Sequence, residues 1–244
     1  MKKIIKIVML TFIPVILLSS SAKNESLILA AGAGYKKPVM EICKEFTADT
    51  GIKVENIFGN MQTVSTQVKQ SGKVGVLIGD ISFLKNPRLG VEYSEYKNLG
   101  TGKLVLAYPR GIKISSTEEL LDSKISRISM PDIKKAIYGK AAKEYIENTN
   151  LWNSVQDKII PAATVPQVSS YLVAGEVDAG FINLTDAIGI KDKIGGYFLV
   201  DKKYSSIEIV AGTISGFENE LPVKEFIKFL STDKAKKILD KYGL

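Results

Sequence analysis

Histidine is missing from all 244 residues. That single absence removes the usual general base, the Ser-His-Asp triad and any histidine-ligated zinc or haem. Cysteine occurs once, at Cys43, so an intramolecular disulfide and a thiolate metal cluster are excluded as well. Arginine is scarce: Arg88, Arg110 and Arg127 are the only ones, and the net charge of +7 comes from lysine. Bidentate readout of phosphate and guanine favours the guanidinium fork, so no nucleic-acid partner is expected. What remains is 45% hydrophobic and 24% charged, a composition that excludes disorder and can bury a core as one two-lobed domain or two small ones.

The amino terminus has its own pattern. Lys2, Lys3 and Lys6 precede an apolar run from Ile7 to Leu18, followed by the small polar stretch Ser19 to Ala22. This is the order of a secretory signal, predicted to span residues 1–22 with cleavage after Ala22; the run is short for a membrane anchor and is interrupted by Thr11 and Pro14. Removing it takes three lysines and no acid, which leaves +4 from the +7 of the whole chain. No cysteine follows the apolar run directly, so the expected product is a soluble periplasmic protein rather than a lipoprotein. Its free thiol would have to be buried to stay inert.

Beyond the leader, short apolar runs alternate with amphipathic segments. Ser26 to Ala31, Ile52 to Phe58 and Gly75 to Ile78 read as strands. Between them lie a helix carrying Val39, Ile42, Cys43 and Phe46 on one face and a helix around Val64 and Val68. Strand-helix-strand order implies parallel strands with helices on the faces. After the apolar run Leu104 to Tyr108 the alternation restarts: a short helix at Thr117-Glu118-Glu119, strands at Ile125 to Met130, Lys158 to Ala162 and Ala179 to Asn183, and helices at Tyr138 to Asn148 and Pro166 to Ala174. The chain then passes through Tyr197 to Val200 and Ile207 to Val210 into helices at Val223 to Leu230 and Lys234 to Tyr242. The predicted class is α/β with two lobes. Residues 26–104 and 200–244 form the first, residues 105–199 the second, and a ligand site lies in the hinged cleft between them.

Four of the predicted helices share an unusual start. Their first turns, Tyr35-Lys36-Lys37-Pro38, Met61-Gln62-Thr63, Tyr138-Gly139-Lys140 and Pro166-Gln167-Val168, contain no Asp or Glu. Acids normally favour that position, because the helix amino end is partially positive. Ordinary capping and turn chemistry accounts for any one of these starts; four together point to free amides ready for an oxyanion, with Gly32, Gly34, Gly59 and Gly139 allowing close approach to the backbone. Other candidates carry less. Gly32-Ala33-Gly34 completes no nucleotide-binding motif. Asp80, Asp132, Asp178 and Asp186 could supply a hydrolytic pair only if the fold joined two of them, and otherwise read as caps or surface residues. Lys234, Lys236 and Lys237 read as solvated surface, and Trp152 as packing.

A family resemblance then emerges. Leu29-Ala30-Ala31-Gly32-Ala33-Gly34, Thr50-Gly51-Ile52-Lys53-Val54, Phe58-Gly59-Asn60, Tyr138-Gly139-Lys140-Ala141-Ala142-Lys143-Glu144, Gly175-Glu176-Val177-Asp178-Ala179-Gly180 and Lys241-Tyr242-Gly243-Leu244 follow one another in an order that resembles the periplasmic molybdate-binding proteins of ABC transporters. The resemblance implies a type II periplasmic binding fold, each lobe a mainly parallel sheet flanked by helices. It implies a monomer without catalysis or cofactor that binds molybdate or tungstate and delivers it to a membrane permease. The metal arrives as its oxyanion, so no protein side chain coordinates it directly. The family's anion site falls on Gly34, Met61, Tyr138, Val165 and Asn183. Members of that family carry serines where Gly34 and Met61 stand and a tyrosine where Asn183 stands, so three hydroxyl donors are replaced here. Asn183 can donate through its side-chain amide, and Tyr35, Asn60, Gln62 and Thr63 are further candidate donors. Three classes stay open: a molybdate or tungstate carrier, a carrier of sulfate, phosphate or a small organic anion on the same fold, and a secreted enzyme.

Overall fold

A computed structural model describes residues 26–244, and the expected leader, residues 1–22, lies outside the described residues. The strands in chain order are β1 (Ser26–Gly32), β2 (Lys53–Gly59), β3 (Val76–Asp80), β4 (Tyr93–Gly102), β5 (Leu104–Tyr108), β6 (Ile128–Pro131), β7 (Ile159–Ala162), β8 (Ala179–Asn183), β9 (Gly196–Leu199) and β10 (Ile207–Ile214). They form two five-stranded sheets, β2-β1-β3-β10-β4 and β7-β6-β8-β5-β9. β1 pairs in parallel with β2 and β3, as β6 does with β7 and β8, while β10 and β5 each run antiparallel to both neighbours. In each sheet, therefore, four strands share a direction and the strand in fourth place is reversed.

That reversal follows from how the chain crosses between sheets. It leaves the first through Lys103, between β4 and β5, and returns through residues 200–206, between β9 and β10. Each crossing ends in a reversed strand. The Leu104 N–H donates to the Tyr204 hydroxyl at 3.0 Å and the Val200 N–H to the Leu104 carbonyl at 3.3 Å, so the two crossings are bonded to each other. The return crossing is also held by Asn148, which donates to the Lys203 carbonyl, and by Glu144, which accepts from the Ser205 N–H.

The helices are α1 (Lys36–Thr50, entered through a 3-10 turn at Ala33–Tyr35), α2 (Met61–Ser71), α3 (Ile81–Leu84), α4 (Ile137–Asn148), α5 (Trp152–Val155), α6 (Val165–Ala174), α7 (Leu184–Ile190), α8 (Leu221–Phe229) and α9 (Asp233–Lys241). α1 ends at Gly51 and α2 at Gly72, both in the left-handed conformation that lets glycine terminate a helix without strain. The α1 face anticipated from Val39, Ile42, Cys43 and Phe46 is buried, with Phe46 edge-on to Phe226 of α8 at 5.2 Å between ring centroids. Truncating such a buried phenylalanine to alanine removes about 3–5 kcal/mol of stability.

Three local differences from the sequence reading have physical reasons. β4 has no apolar run, because it is an edge strand with mostly exposed or half-buried residues. The strand expected from Ile125 begins only at Ile128: Asp178 accepts from the Ser126 and Arg127 N–H groups, the Ser126 hydroxyl and the Arg127 guanidinium, which holds residues 126–127 out of the ladder. The Thr117 segment is a 3-10 turn closed by a capping box between Ser116 and Glu119.

Cys43 is buried, its Sγ donating to Asn56 Oδ1 at 3.4 Å, and burial pushes the thiol up to about 12. Only the thiolate is nucleophilic. We expect an alkylating reagent at neutral pH to leave Cys43 unlabelled in the native protein and to add one label per chain in guanidinium. Native labelling at the rate of a free thiol would contradict the packing of α1 against β2.

Candidate functional site

Helix geometry leaves the first N–H groups of each helix without an intrahelical acceptor. At the 3-10 turn leading into α1 these belong to Ala33 and Gly34, and Gly32, in the cap position, offers no side chain to satisfy them. At α2 the Asn60 side chain accepts from the Thr63 N–H, leaving Met61 and Gln62. At α4 the cap is Ala136, with no side-chain acceptor, leaving Ile137 and Tyr138. At α6 Thr164 caps the Gln167 N–H and Pro166 has none, so Val165 carries the remaining amide of that turn. None of these four starts has an acid in its first turn.

The four starts meet in one place. A pocket of about 30 Å³ is lined by Gly32 to Tyr35, Gly59 to Met61, Ala136 to Tyr138, Thr164, Val165 and Asp80. Two starts come from the first sheet and two from the second, so the pocket lies between the sheets. Its volume suits a compact ion, since sites for organic ligands typically span about 300–1,000 Å³. No lysine or arginine is among the lining residues. Lys36 stands over the Phe58 ring at 5.7 Å and Lys140 faces Glu144 at 3.8 Å. With no cation in its lining, the pocket has backbone dipoles as its source of positive potential.

Three contacts join the lobes around it. The Tyr35 hydroxyl donates to that of Tyr138 at 2.9 Å, and burial raises the pKa of both. The Asn183 side-chain amide donates to the Gly34 carbonyl at 2.9 Å. Lys37 on α1 pairs with Asp186 on α7 at 3.0 Å, and the Ser169 hydroxyl donates to the other Asp186 oxygen. Asp186 is mostly buried while Lys37 stays partly exposed. Asn183 also caps α7, its Oδ1 accepting from the Asp186 N–H at 3.1 Å, so the second and third contacts share a framework.

Of the residues singled out in the sequence, Gly34, Met61, Tyr138 and Val165 line the pocket, as do Tyr35 and Asn60. Asn183 does not; it lies behind Gly34, with its amide on the Gly34 carbonyl and its oxygen on α7. A methyl group at Gly34 would lie 3.0 Å from Asn183 Nδ2, so the glycine makes room for the asparagine. Gln62 and Thr63 have exposed side chains, and Asn60 spends its oxygen on the helix cap. Met61 contributes its backbone only, since its side chain is buried against Gly79, where a methyl would lie 2.5 Å from Met61 Cε. Gly139 stands apart from the pocket: a side chain there would strike the Pro131 and Asp132 carbonyls, a packing requirement of α4 against β6.

Ala33, Ala136, Ile137 and Thr164 line the pocket without being site candidates in the sequence, and each adjoins one of the acid-free helix starts. In the sequence Asp80 reads as an acid that could join a pair, or otherwise as a cap or surface residue. No such pair forms: Asp132 caps the Lys134 and Lys135 N–H groups, Asp178 holds Arg127, Asp186 holds Lys37, and Asp80 caps Ser82. Among the described residues no cluster of acids and cysteine could hold a metal ion.

Comparison with known proteins agrees with this architecture. The chain is 25% identical over 232 residues to the molybdate-binding protein ModA of Rhodobacter capsulatus, covering 93% of this chain and 90% of that one. The periplasmic molybdate-binding protein of Azotobacter vinelandii superposes with a TM-score of 0.80 at 21% identity, covering 89% of this chain and 97% of that one. The sulfate-binding protein SubI of Mycobacterium tuberculosis superposes with a TM-score of 0.73 at 16% identity, over 90% and 86% of the two chains. These similarities give the two-lobed α/β fold of type II periplasmic binding proteins. The model of the bacterial extracellular solute-binding proteins matches residues 27–244, and the chain belongs to that family.

Proposed function

We propose that this protein captures a tetrahedral oxyanion, molybdate or tungstate first, and hands it to the membrane permease of an ABC transporter. The observation that carries the reading is the convergence of four acid-free helix starts on one small pocket between the lobes. The amides of Gly34, Met61, Tyr138 and Val165, with their neighbours Ala33, Gln62 and Ile137, replace the hydration shell of the ion. Aligned N–H dipoles in a dry cleft do this without a salt bridge. The Tyr138 hydroxyl accepts from Tyr35 and keeps its own proton to donate. Asn183 acts through Gly34, positioning that backbone rather than touching the ion.

A carrier of sulfate, phosphate or a small organic anion is the second reading, because the three family hydroxyls at Gly34, Met61 and Asn183 are missing and a sulfate-binding protein shares the fold. A carrier without turnover fits better than an enzyme, because the chain has no histidine and its acids at 80, 132, 178 and 186 are held by separate partners. Residues 1–22 would direct export, and with no cysteine at their end the product would be soluble.

A thermal-shift panel of molybdate, tungstate, sulfate, phosphate and small carboxylates tests the reading. An ion bound only by the folded form adds about 4 kcal/mol at a thousandfold excess over Kd, or roughly 8–16 °C for a chain of this size. We expect molybdate and tungstate to give shifts of that order and sulfate a much smaller one. A large response to another anion, with none to either metal oxyanion, would transfer the assignment to that anion. Gly34→Val should abolish the shift, since its branched side chain collides with Asn183.

Closure should depend on the ion pair across the cleft. Lys37→Met removes one contact of the closed form, worth about 1 kcal/mol for a partly exposed pair, so Kd should weaken about fivefold while the ligand-free melting temperature stays within a degree or two. Small-angle scattering should show the anion-bound variant more open than the bound wild type. An unchanged Kd would mean that Lys37 and Asp186 pair equally well with the lobes apart.

A further inference from the structure

Asp80 is the anomaly of this pocket. It is the one carboxylate among the lining residues, 1% exposed, in a site otherwise built of amides, hydroxyls and apolar groups. Its Oδ1 is occupied, accepting from the Ser82 N–H at 2.9 Å and from the Ser82 hydroxyl. Its Oδ2 is buried without a hydrogen-bond partner. Natural structures seldom leave such an oxygen unpaired, and on a residue that lines a ligand pocket it is a natural partner for the ligand.

The charges around it do not neutralise it. β1 and α3 carry no ionisable side chain, and the lone cation of α2, Lys69, lies near Gly90. Lys85, just past α3, is over the Tyr96 ring at 5.6 Å, and Lys36 is over Phe58. Glu208, beside the β10 residue that pairs with Asp80, is exposed and adds negative charge. Tyr35 and Tyr138 also line the pocket; burial raises their pKa values and the Asp80 charge raises them further. An ionised Asp80 beside a dianion would place like charges in a dry site with no lysine or arginine between them, an arrangement that drives a carboxyl to keep its proton.

We propose that Asp80 is a specificity-determining residue that is protonated when the anion is bound, its Oδ2–H donating to a ligand oxygen, so that capture of each dianion takes up one proton from solvent. This rests on the oxyanion reading above. Burial already holds the Asp80 carboxyl above its ordinary range, against the pull of the Ser82 hydroxyl and amide and of the Phe83 and Glu208 amides, which approach the carboxyl without making a hydrogen bond to it. A bound dianion raises it further. The device favours ions that lack a proton of their own and makes their affinity fall as pH rises, because ionisation of Asp80 withdraws the donor and introduces a repulsive charge.

Calorimetric titration of molybdate into the purified protein, in buffers of different ionisation heat between about pH 6.5 and 8.5, tests this. The wild type should take up close to one proton per anion at the upper end, where the association constant should fall about tenfold per pH unit. Asp80→Asn keeps an oxygen to cap α3 and donates from its amide at every pH, so its proton uptake and pH slope should both be near zero. Asp80→Ser, with its own capping side chain, serves if the asparagine variant does not fold. Molybdate binding by the wild type without proton uptake or pH slope overturns the proposal and leaves the oxyanion reading standing. Preference for hydrogen phosphate without proton uptake also overturns it, because an ionised Asp80 would then be accepting a ligand proton. Failure of every anion in the panel to bind wild type and variant alike overturns both.

Discussion

Backbone N–H groups that cannot be satisfied within their own helices are the constraint around which this molecule is arranged. A buried amide without an acceptor costs about 1–3 kcal/mol, and the closed cleft gathers such groups from four helix starts. The usual remedies are withheld: the first turns carry no acids, Gly32 and Ala136 offer no capping side chain, and Pro166 removes one donor outright. Two starts do have caps, Asn60 and Thr164, but each cap reaches only the third amide of its helix. The unsatisfied donors are thus the outermost ones, those that face the opposite lobe. In the function proposed above, an anion between the lobes would supply what the chain omits.

The topology makes that arrangement adjustable. Each sheet presents helix starts at the carboxyl ends of its parallel strands, and the chain passes between the sheets twice, each time entering a reversed strand. Because the crossings are bonded to each other through Leu104, Val200 and Tyr204, they offer a common axis about which one lobe can turn against the other. Closure draws on few direct contacts: the tyrosine pair, Asn183 on Gly34, and Lys37 on Asp186. At about 1 kcal/mol each they bias the closed form without fixing it, and a ligand bound as proposed would supply the remainder by touching both lobes at once. A chain that locked shut unaided could not load or release its cargo.

How much of this is legible in the sequence depends on the range of the signal. Acid-free first turns and the glycines before them are local features, so the starts at Gly34, Met61, Tyr138 and Val165 can be found from the order of residues, and the two-lobed α/β class follows from the alternation of runs. β4 is hidden because an edge strand needs no apolar run. The position of Asp80 is hidden for a different reason. It depends on β3 ending where the pocket begins and on the pairing of Asp80 with Ile209, which unites residues far apart in the chain. Asn183 illustrates the same limit: spacing and resemblance bring it near the ligand, but its side chain is engaged by the Gly34 carbonyl and by the first turn of α7.

Gly34 and Asn183 are best understood as one exchange rather than two losses. The family resemblance implies a serine at the first position and a tyrosine at the second, whereas in this chain the absent side chain of Gly34 leaves the space that Asn183 fills. Any Cβ at 34 would press on the asparagine amide, so restoring the serine alone would disturb closure instead of recovering a donor. In the proposed site, recognition would rest on the backbone more than on side-chain hydroxyls. Amides read the size and charge of an ion but, being donors only, cannot tell whether its oxygens carry protons. A carboxyl group can, since it is a donor when protonated and an acceptor when ionised. In a pocket with no lysine or arginine among its lining residues, Asp80 is the lining carboxyl, and under the proposal above it is the side chain able to separate anions of similar shape by their state of protonation.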